Sequence, residues 1–225
     1  MPSLVFWIDV DNTLLDNDKA KEEYDNYLQV ELGPQLTARF WELNEEVREE
    51  KSVIDIPATL TRLREETPLS QLSELTYQHV TSVFENFPFQ KLLYPHVLEA
   101  LAYLNTLGTT VIVSDGDKVF QAEKIFNSNL ADAVQGHVLL YIHKQEHLDD
   151  IMRQYPADHY AMIDDKPDIL HDTKTALGNR VTTVFVRQGK YAAAQPPAHF
   201  TPDITVAHIA DVQHLSKEQF LSSQP

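Results

Sequence analysis

The stretch Leu4-Val5-Phe6-Trp7-Ile8-Asp9-Val10-Asp11-Asn12-Thr13, near the start of a chain of 225 residues, decides the fold. Its first half is wholly apolar and rich in β-branched and aromatic residues, which is typical of a strand buried on both faces of a parallel sheet. The run breaks at Asp9, and a second carboxylate follows at Asp11. Neighbouring carboxylates repel each other, which favours a shared proton or a cation between them. The stretch therefore predicts a parallel sheet with a reactive centre at its carboxyl edge.

Farther along the chain, short apolar runs alternate with helical patterns. The further predicted strands cover 109–113, 136–141, 160–163 and 181–186, with a short last one at 203–206. The predicted helices cover 95–107, 118–127, a stretch ending near 154, 169–177 and 209–215. Strands that alternate with helices predict an α/β fold, a three-layer, Rossmann-like parallel sheet with helices on both faces.

The segment 17–87 differs from the rest because it is rich in Glu, Gln, Arg and Leu and has no strand pattern. Three prolines lie where helices can begin: Pro34, Pro57 and Pro68. We therefore predict four helices in this segment. One amphipathic helix is indicated by residues at helical spacing, Leu69, Leu72, Leu75 and His79. We therefore predict an α/β core domain of residues 1–16 and 88–225 that carries a small helical cap domain of residues 17–87.

Four of the predicted strands lead into polar residues at the edge where ligands bind to such sheets: Asp9, Ser114, Lys144 and Asp164. The turn Ser114-Asp115-Gly116 offers a hydroxyl donor, and its glycine lets backbone amides approach an anion. Lys144 supplies a point charge suited to a phosphoryl group. The adjacent carboxylates of Asp164 and Asp165 favour a hard cation with oxygen ligands. Asp168 either assists that cation through water or caps the next helix.

Composition excludes several classes of protein. The chain has no cysteines, which excludes disulfides, thiolate zinc sites and thiol nucleophiles. Its 34 acidic and 18 basic residues give a formal net charge of −16, so we expect no nucleic-acid partner. No run reaches the roughly 18 apolar residues of a membrane span. The start of the chain lacks the pattern of a signal peptide, so the expected location is cytoplasmic, away from membranes.

Taken in order, an Asp-x-Asp-x-Thr motif at 9–13, then Ser114, Lys144 and the acidic pair 164–165, the sequence resembles the four motifs of the haloacid dehalogenase (HAD) superfamily. The helical insertion after the first motif is similar to the C1-type cap of that superfamily. This resemblance covers nearly the whole chain. It implies a two-step phosphoryl transfer in which Asp9 is the nucleophile and Asp11 is the general acid and base.

The resemblance also assigns the remaining site residues. It implies that the phosphoryl group is bound by Ser114, Asp115, Gly116 and Lys144. It implies that Mg²⁺ is held by Asp9, the backbone carbonyl of Asp11, Asp164 and Asp165. Substrate-selecting cations often lie in the cap of this superfamily, and the candidates here are Arg39, Arg48, Lys51, Arg62 and Arg64.

Asp11 favours one reaction within the superfamily, because its dehalogenases lack an Asp at this position and its phosphatases keep one. We therefore expect a Mg²⁺-dependent phosphatase that acts on a small phosphorylated metabolite, as a monomer or a homodimer. One alternative is a phosphomutase, which is disfavoured because segment 16–35 lacks the histidine that sugar-phosphate mutases of the superfamily tend to carry there. Another is a catalytically silent binding protein with the same fold.

Overall fold

The computed structural model describes residues 3–222, and its centre is a sheet of six parallel strands. The strands are β1 Leu4–Ile8, β2 Thr109–Asp115, β3 Val138–Tyr141, β4 His159–Asp164, β5 Val181–Val186 and β6 Ile204–Val206. Their order across the sheet is β3-β2-β1-β4-β5-β6. Each strand lies within two residues of its predicted bounds, so the predicted parallel α/β sheet is confirmed.

Helices cover both faces of the sheet. They are α1 Asn17–Lys51, α2 Ile56–Glu66, α3 Glu74–Glu85, α4 Val97–Leu107, α5 Lys118–Asn127, α6 Leu130–Ala133, α7 Leu148–Gln154, α8 Pro167–Leu177 and α9 Lys217–Leu221. Side chains of β1 alternate between the two faces. Phe6 packs in the same core as Leu104 of α4, whereas Trp7 packs in a second core with Leu170 of α8. The three layers follow from this alternation.

β1 is apolar along its whole length because it lies inside the sheet with β2 and β4 on either side. Trp7 is in register with Val111 of β2 and Met162 of β4. Asp9, just beyond the strand, still donates its backbone N–H to the Ile163 carbonyl at 3.0 Å. The central strand therefore delivers its first carboxylate to the middle of the carboxyl edge.

The predicted helical insertion lies between β1 and α4. Helix α1 is interrupted at Gly33, whose φ of 74° is left-handed, and it resumes at Pro34, so α1 to α3 supply four helical segments. An aromatic cluster joins these helices, with ring centroids 5.8 Å apart for Phe40 and Phe84 and 4.6 Å apart for Tyr24 and Phe84. The bounds of a separate cap domain at 17 and 87 and its C1 type stay predictions.

The prediction of a helix that begins at Pro68 is wrong. Residues after Pro68 form a turn, and α3 begins after Ser73, whose hydroxyl accepts the backbone N–H of Thr76 at 3.1 Å. A serine in this position satisfies an N–H that the helix leaves unpaired. Leu69 and Leu75 are 64% and 78% exposed, so the spacing that indicated an amphipathic stripe does not describe a buried face.

The single closing helix predicted at 209–215 also differs from the structure. A 3-10 helix runs from Ile209 to His214 and α9 follows it. The division comes from Ser216, which forms a capping box with Gln219 and so starts a new helix at once. Within residues 3–222, no helix is both long enough and apolar enough to cross a membrane.

Gly108 joins α4 to β2 where the chain passes the backbone of β1, and this contact makes a testable prediction. A Cβ at this position would lie 2.3 Å from the Leu4 carbonyl oxygen, so backbone must shift to accommodate it. We expect Gly108→Ala to lower the free energy of unfolding by about 2–3 kcal/mol, measured by urea denaturation.

Gly136→Ala is the matched control for this substitution. Gly136 has a left-handed φ of 78°, but nothing lies within 4 Å of an added Cβ. Only the conformational cost of about 1–2 kcal/mol applies there. A loss for Gly108→Ala no greater than that for Gly136→Ala would contradict the close approach of the backbone at Gly108.

Candidate active site

The carboxyl ends of three adjacent strands bring the predicted residues together. Asp9 follows β1, Ser114 lies near the end of β2, and Asp164 ends β4. Lys144 begins a short 3-10 helix after β3 and reaches the same place. The side chains of all four residues are buried. Residues separated by up to 155 positions in the chain therefore form one polar cluster inside an apolar core.

Lys144 is the cation at the centre of this cluster. Its Nζ lies 2.5 Å from Asp9 Oδ1 and 2.7 Å from Asp164 Oδ2. Burial on its own lowers the pKa of a lysine, but the carboxylates of Asp164 and Asp9 outweigh burial and raise the pKa of Lys144 above its usual value. The ammonium therefore stays charged and offsets part of the negative charge around it.

Three carboxylates, those of Asp9, Asp164 and Asp165, have oxygens within 4.8 Å of one another. Among residues 3–222, neither oxygen of Asp165 nor Oδ2 of Asp9 finds a hydrogen-bond partner, although all three are buried. Burial and then the charges of Asp164 and Asp9 raise the pKa of Asp165 to about 9. Asp168 lies in the first turn of α8, and the cluster does not include it. Such unpartnered carboxylate oxygens fit a hard divalent cation.

Lys166 is a second cation at this site, and sequence reasoning missed it. Burial alone lowers its pKa, but Asp9 and Asp164 raise the pKa of Lys166 overall. Its backbone N–H also donates to Asp164 Oδ1 at 2.8 Å. The signal was present in the sequence, because the lysine directly follows the acidic pair.

Asp11 has a different environment from Asp9, because it lies past the end of β1 in a loop that turns at Asn12, whose φ of 62° is left-handed. The Asp11 carboxylate lines a cavity, and its Oδ1 lies 2.8 Å from Nζ of Lys124 on α5. Lys124 also donates to Asn17 Oδ1 at 3.1 Å. The two carboxylates of the first motif therefore bind separate lysines.

The turn at the end of β2 is held by its neighbours. Ser114 Oγ accepts a hydrogen bond from Gln121 Nε2 at 2.9 Å, so its own hydrogen remains free to donate. A Cβ at Gly116 would lie 3.2 Å from the Gln121 side chain. Asp115 Oδ1 accepts the backbone N–H of Lys144 at 2.7 Å. The Asp115 carboxylate therefore positions Lys144. The groups of this turn that suit an anion are the Ser114 hydroxyl and the backbone N–H groups.

A cavity of about 290 Å³ lies between these strand ends and the helical insertion. Asp11, Gly116 and Lys166 line it from the sheet side, and Trp41 and Arg48 line it from α1. Asp9 is buried and does not line it. All five candidate cations form ion pairs within the insertion: Arg39 with Glu66, Arg48 with Glu45, Lys51 with Asp55, Arg62 with Glu50 and Arg64 with Glu74. Arg48 is the one candidate of the five that lines the cavity.

Comparisons with known proteins connect this geometry to a family. No protein-family model matches the chain, and no curated protein matches it. Among solved structures, a haloacid dehalogenase-like hydrolase from Burkholderia xenovorans LB400 is 43% identical with a TM-score of 0.85, covering 98% of this chain and 99% of that chain.

Two more distant structures share the fold. An L-2-haloacid dehalogenase from Xanthobacter autotrophicus, with chloropropionic acid covalently bound, is 15% identical with a TM-score of 0.60, covering 95% of this chain and 98% of its own. A HAD-hydrolase from Bacillus subtilis bound to magnesium is 14% identical with a TM-score of 0.60 and the same coverage. The identity of 43% over almost the full length, together with the ordered site, shows that this chain belongs to the HAD-like hydrolases.

Proposed function

We propose that this HAD-like hydrolase is a Mg²⁺-dependent phosphatase that hydrolyses a small phosphomonoester through an aspartyl phosphate. The observation that carries the proposal is the second carboxylate of the first motif. Asp11 lies in the cavity, two residues beyond Asp9, where an acid and base for a departing oxygen is needed. The cavity of about 290 Å³ supports a small substrate.

The acidic cluster supports Mg²⁺ as the cofactor. Asp9 and Asp165 present buried carboxylate oxygens without hydrogen-bond partners among residues 3–222, and an oxygen of Asp164 lies within 4.8 Å of theirs. Clustered carboxylate oxygens are the ligands that a hard cation takes. The backbone carbonyl of Asp11 is the further ligand that the resemblance implies. Bound Mg²⁺ would supply Lewis-acid stabilisation of negative charge on the phosphoryl oxygens.

The reaction then proceeds in two steps. An oxygen of Asp9 attacks phosphorus, and the bond from phosphorus to the leaving oxygen breaks. Asp11 gives its proton to the leaving oxygen in this first step. In the second step Asp11 takes a proton from a water whose oxygen attacks phosphorus, the bond from phosphorus to the Asp9 oxygen breaks, and inorganic phosphate leaves. Lys144 balances charge on the phosphoryl oxygens, and the Ser114 hydroxyl donates a hydrogen bond to them.

A dehalogenase activity is the contrasting reaction within the family. The Xanthobacter dehalogenase has chloropropionic acid covalently bound, but at 15% identity its likeness to this chain concerns the fold alone. The dehalogenases of the superfamily lack the second Asp, because their reaction has no leaving oxygen that needs a proton. This chain has Asp11 at that position. A phosphomutase and a silent binding protein share the phosphatase geometry. Release of inorganic phosphate distinguishes the phosphatase from both.

The first prediction concerns the nucleophile. Release of inorganic phosphate from a panel of phosphomonoesters, including an aryl phosphate, is expected with Mg²⁺ and not with EDTA. Asp9→Asn should lower kcat by at least about 10³-fold, because the amide cannot attack phosphorus. Asp158→Asn is the matched control, since Asp158 is exposed and bonds to Ser3 at the opposite edge of the sheet. Unchanged turnover in Asp9→Asn would contradict the mechanism.

The second prediction concerns the acid and base. Asp11→Asn should lower kcat by about 10²–10⁴-fold and leave the phosphorylated enzyme long-lived, because the attacking water no longer loses its proton to a base. Acid quenching after mixing with ³²P-labelled substrate measures the protein-bound label. The label should be absent in Asp9→Asn. Rapid loss of label at the wild-type rate in Asp11→Asn would assign the base to another group.

The third prediction concerns pH and the cation. In EDTA, the free energy of unfolding should fall as the pH rises from about 4 to about 9. The pKa of Asp165 is about 9 in the folded chain, against about 3.9 in an unfolded one. The folded state therefore holds more protons in this window and is favoured less as the pH rises. Urea denaturation at pH 5 and at pH 8 measures the change.

Asp165→Asn should reduce this pH dependence, and Mg²⁺ should stabilise the wild-type chain more at pH 8 than at pH 5, since it binds the ionised carboxylates. Asp172→Asn, on the exposed side of α8, is the matched control and should keep the wild-type dependence. An Asp165→Asn chain with the full wild-type dependence would show that Asp165 does not carry it.

A further inference from the structure

Lys124 on α5 is a buried lysine that the proposed reaction does not yet use. Its side chain is 5% exposed, and its ammonium bonds to Asp11 Oδ1 at 2.8 Å and to Asn17 Oδ1 at 3.1 Å. The rings of Phe89 and Phe120 lie 5.9 and 5.5 Å from Nζ. A buried ammonium is costly unless it is paired, so these contacts hold Lys124 in one place.

The pair restricts how Asp11 can turn. Oδ1 is taken by Lys124, whereas no residue in the range 3–222 donates a hydrogen bond to Oδ2. Because the Asp11 side chain lines the cavity, the unbonded oxygen is the one available to a substrate. A charge-assisted bond to one oxygen thus leaves the other in a defined direction.

Asn17 connects the same lysine to the helical insertion. It is the first residue of α1, and its backbone N–H donates to Asn12 Oδ1 at 3.0 Å. Lys124 therefore bonds to both ends of the short loop that leads from Asp11 into α1. This loop is held from the core side by α5 and from within by Asn12.

We propose that Lys124 is the positioning residue for Asp11, which it orients for both proton transfers. The proposal rests on the phosphatase function proposed above. Without Lys124, the Asp11 carboxylate is free to rotate, and proton transfer requires a donor and an acceptor within hydrogen-bond reach in the right direction. The role concerns orientation, so it predicts an effect on the proton-dependent steps alone.

The test compares two leaving groups in Lys124→Met. p-Nitrophenolate leaves phosphorus without needing a proton, whereas an alkoxide needs one from Asp11. For the best alkyl phosphate of the panel, kcat/KM should fall by about 10–100-fold, part of the 10²–10⁴-fold that acid–base catalysis contributes. For p-nitrophenyl phosphate, kcat/KM should change by less than about threefold. Its kcat should still fall, because hydrolysis of the aspartyl phosphate needs the base.

Two further variants separate positioning from general stability. Methionine has nearly the length of lysine and packs well against aromatic rings, so Lys124→Met is expected to fold. Lys174→Met removes another largely buried lysine, whose Nζ lies 2.9 Å from Asp203 and which also bonds the Val181 carbonyl at the start of β5. This control should lower the melting temperature and leave the ratio of the two kcat/KM values unchanged. Asp11→Asn combined with Lys124→Met should be no slower than Asp11→Asn alone.

Each outcome decides one claim. Equal losses for the alkyl and the aryl phosphate in Lys124→Met, or losses that add to those of Asp11→Asn, would overturn the role of Lys124 while leaving the phosphatase intact. Absence of turnover by the wild-type chain on every phosphomonoester would overturn the phosphatase function, and with it the role of Lys124. A loss confined to the proton-dependent steps supports both.

Discussion

The buried ion pairs of Lys144 with Asp9 and Asp164 are the interaction on which the rest of the site depends. Three carboxylates meet at the carboxyl edge of the sheet, in a place that excludes water, and their repulsion is severe there. Lys144 offsets two of them at 2.5 and 2.7 Å, and Asp115 holds the backbone of that lysine. The oxygens of Asp165 and Oδ2 of Asp9 stay unpartnered within residues 3–222, which leaves a defined set of ligands for a cation.

The first motif resolves a second electrostatic conflict. Asp9 and Asp11 are two residues apart, but Asp9 directly follows β1 and is buried, whereas Asp11 lies in the loop beyond it and lines the cavity. Asp9 bonds to Lys144 from the loop after β3, and Asp11 bonds to Lys124 from α5. Since each carboxylate has its own cation, one can serve as a nucleophile while the other exchanges a proton. The proposed phosphatase mechanism uses this division of roles.

Much of the fold and part of the site could be predicted from the sequence. The strands were predicted within two residues because each is a short apolar run, and such runs are a local property of the chain. Errors occurred where helix ends depend on capping: Ser73 moves the start of α3 away from Pro68, and Ser216 divides the final helical segment. Gln121 and Lys124 were missed because a glutamine and a lysine on a helix usually face solvent.

The sequence by itself determined which polar residues follow each strand, the acidic pair and the presence of Asp11, because each of these is read from neighbouring residues. Tertiary structure decided which charges meet. Lys124 and Asp11 are 113 residues apart, and Lys144 and Asp9 are 135 apart. It also decided that Arg48 lines the cavity while four similar cations of the insertion do not. Ion pairing depends on distances of a few ångströms between separate elements, and these are set only when the helices pack on the sheet.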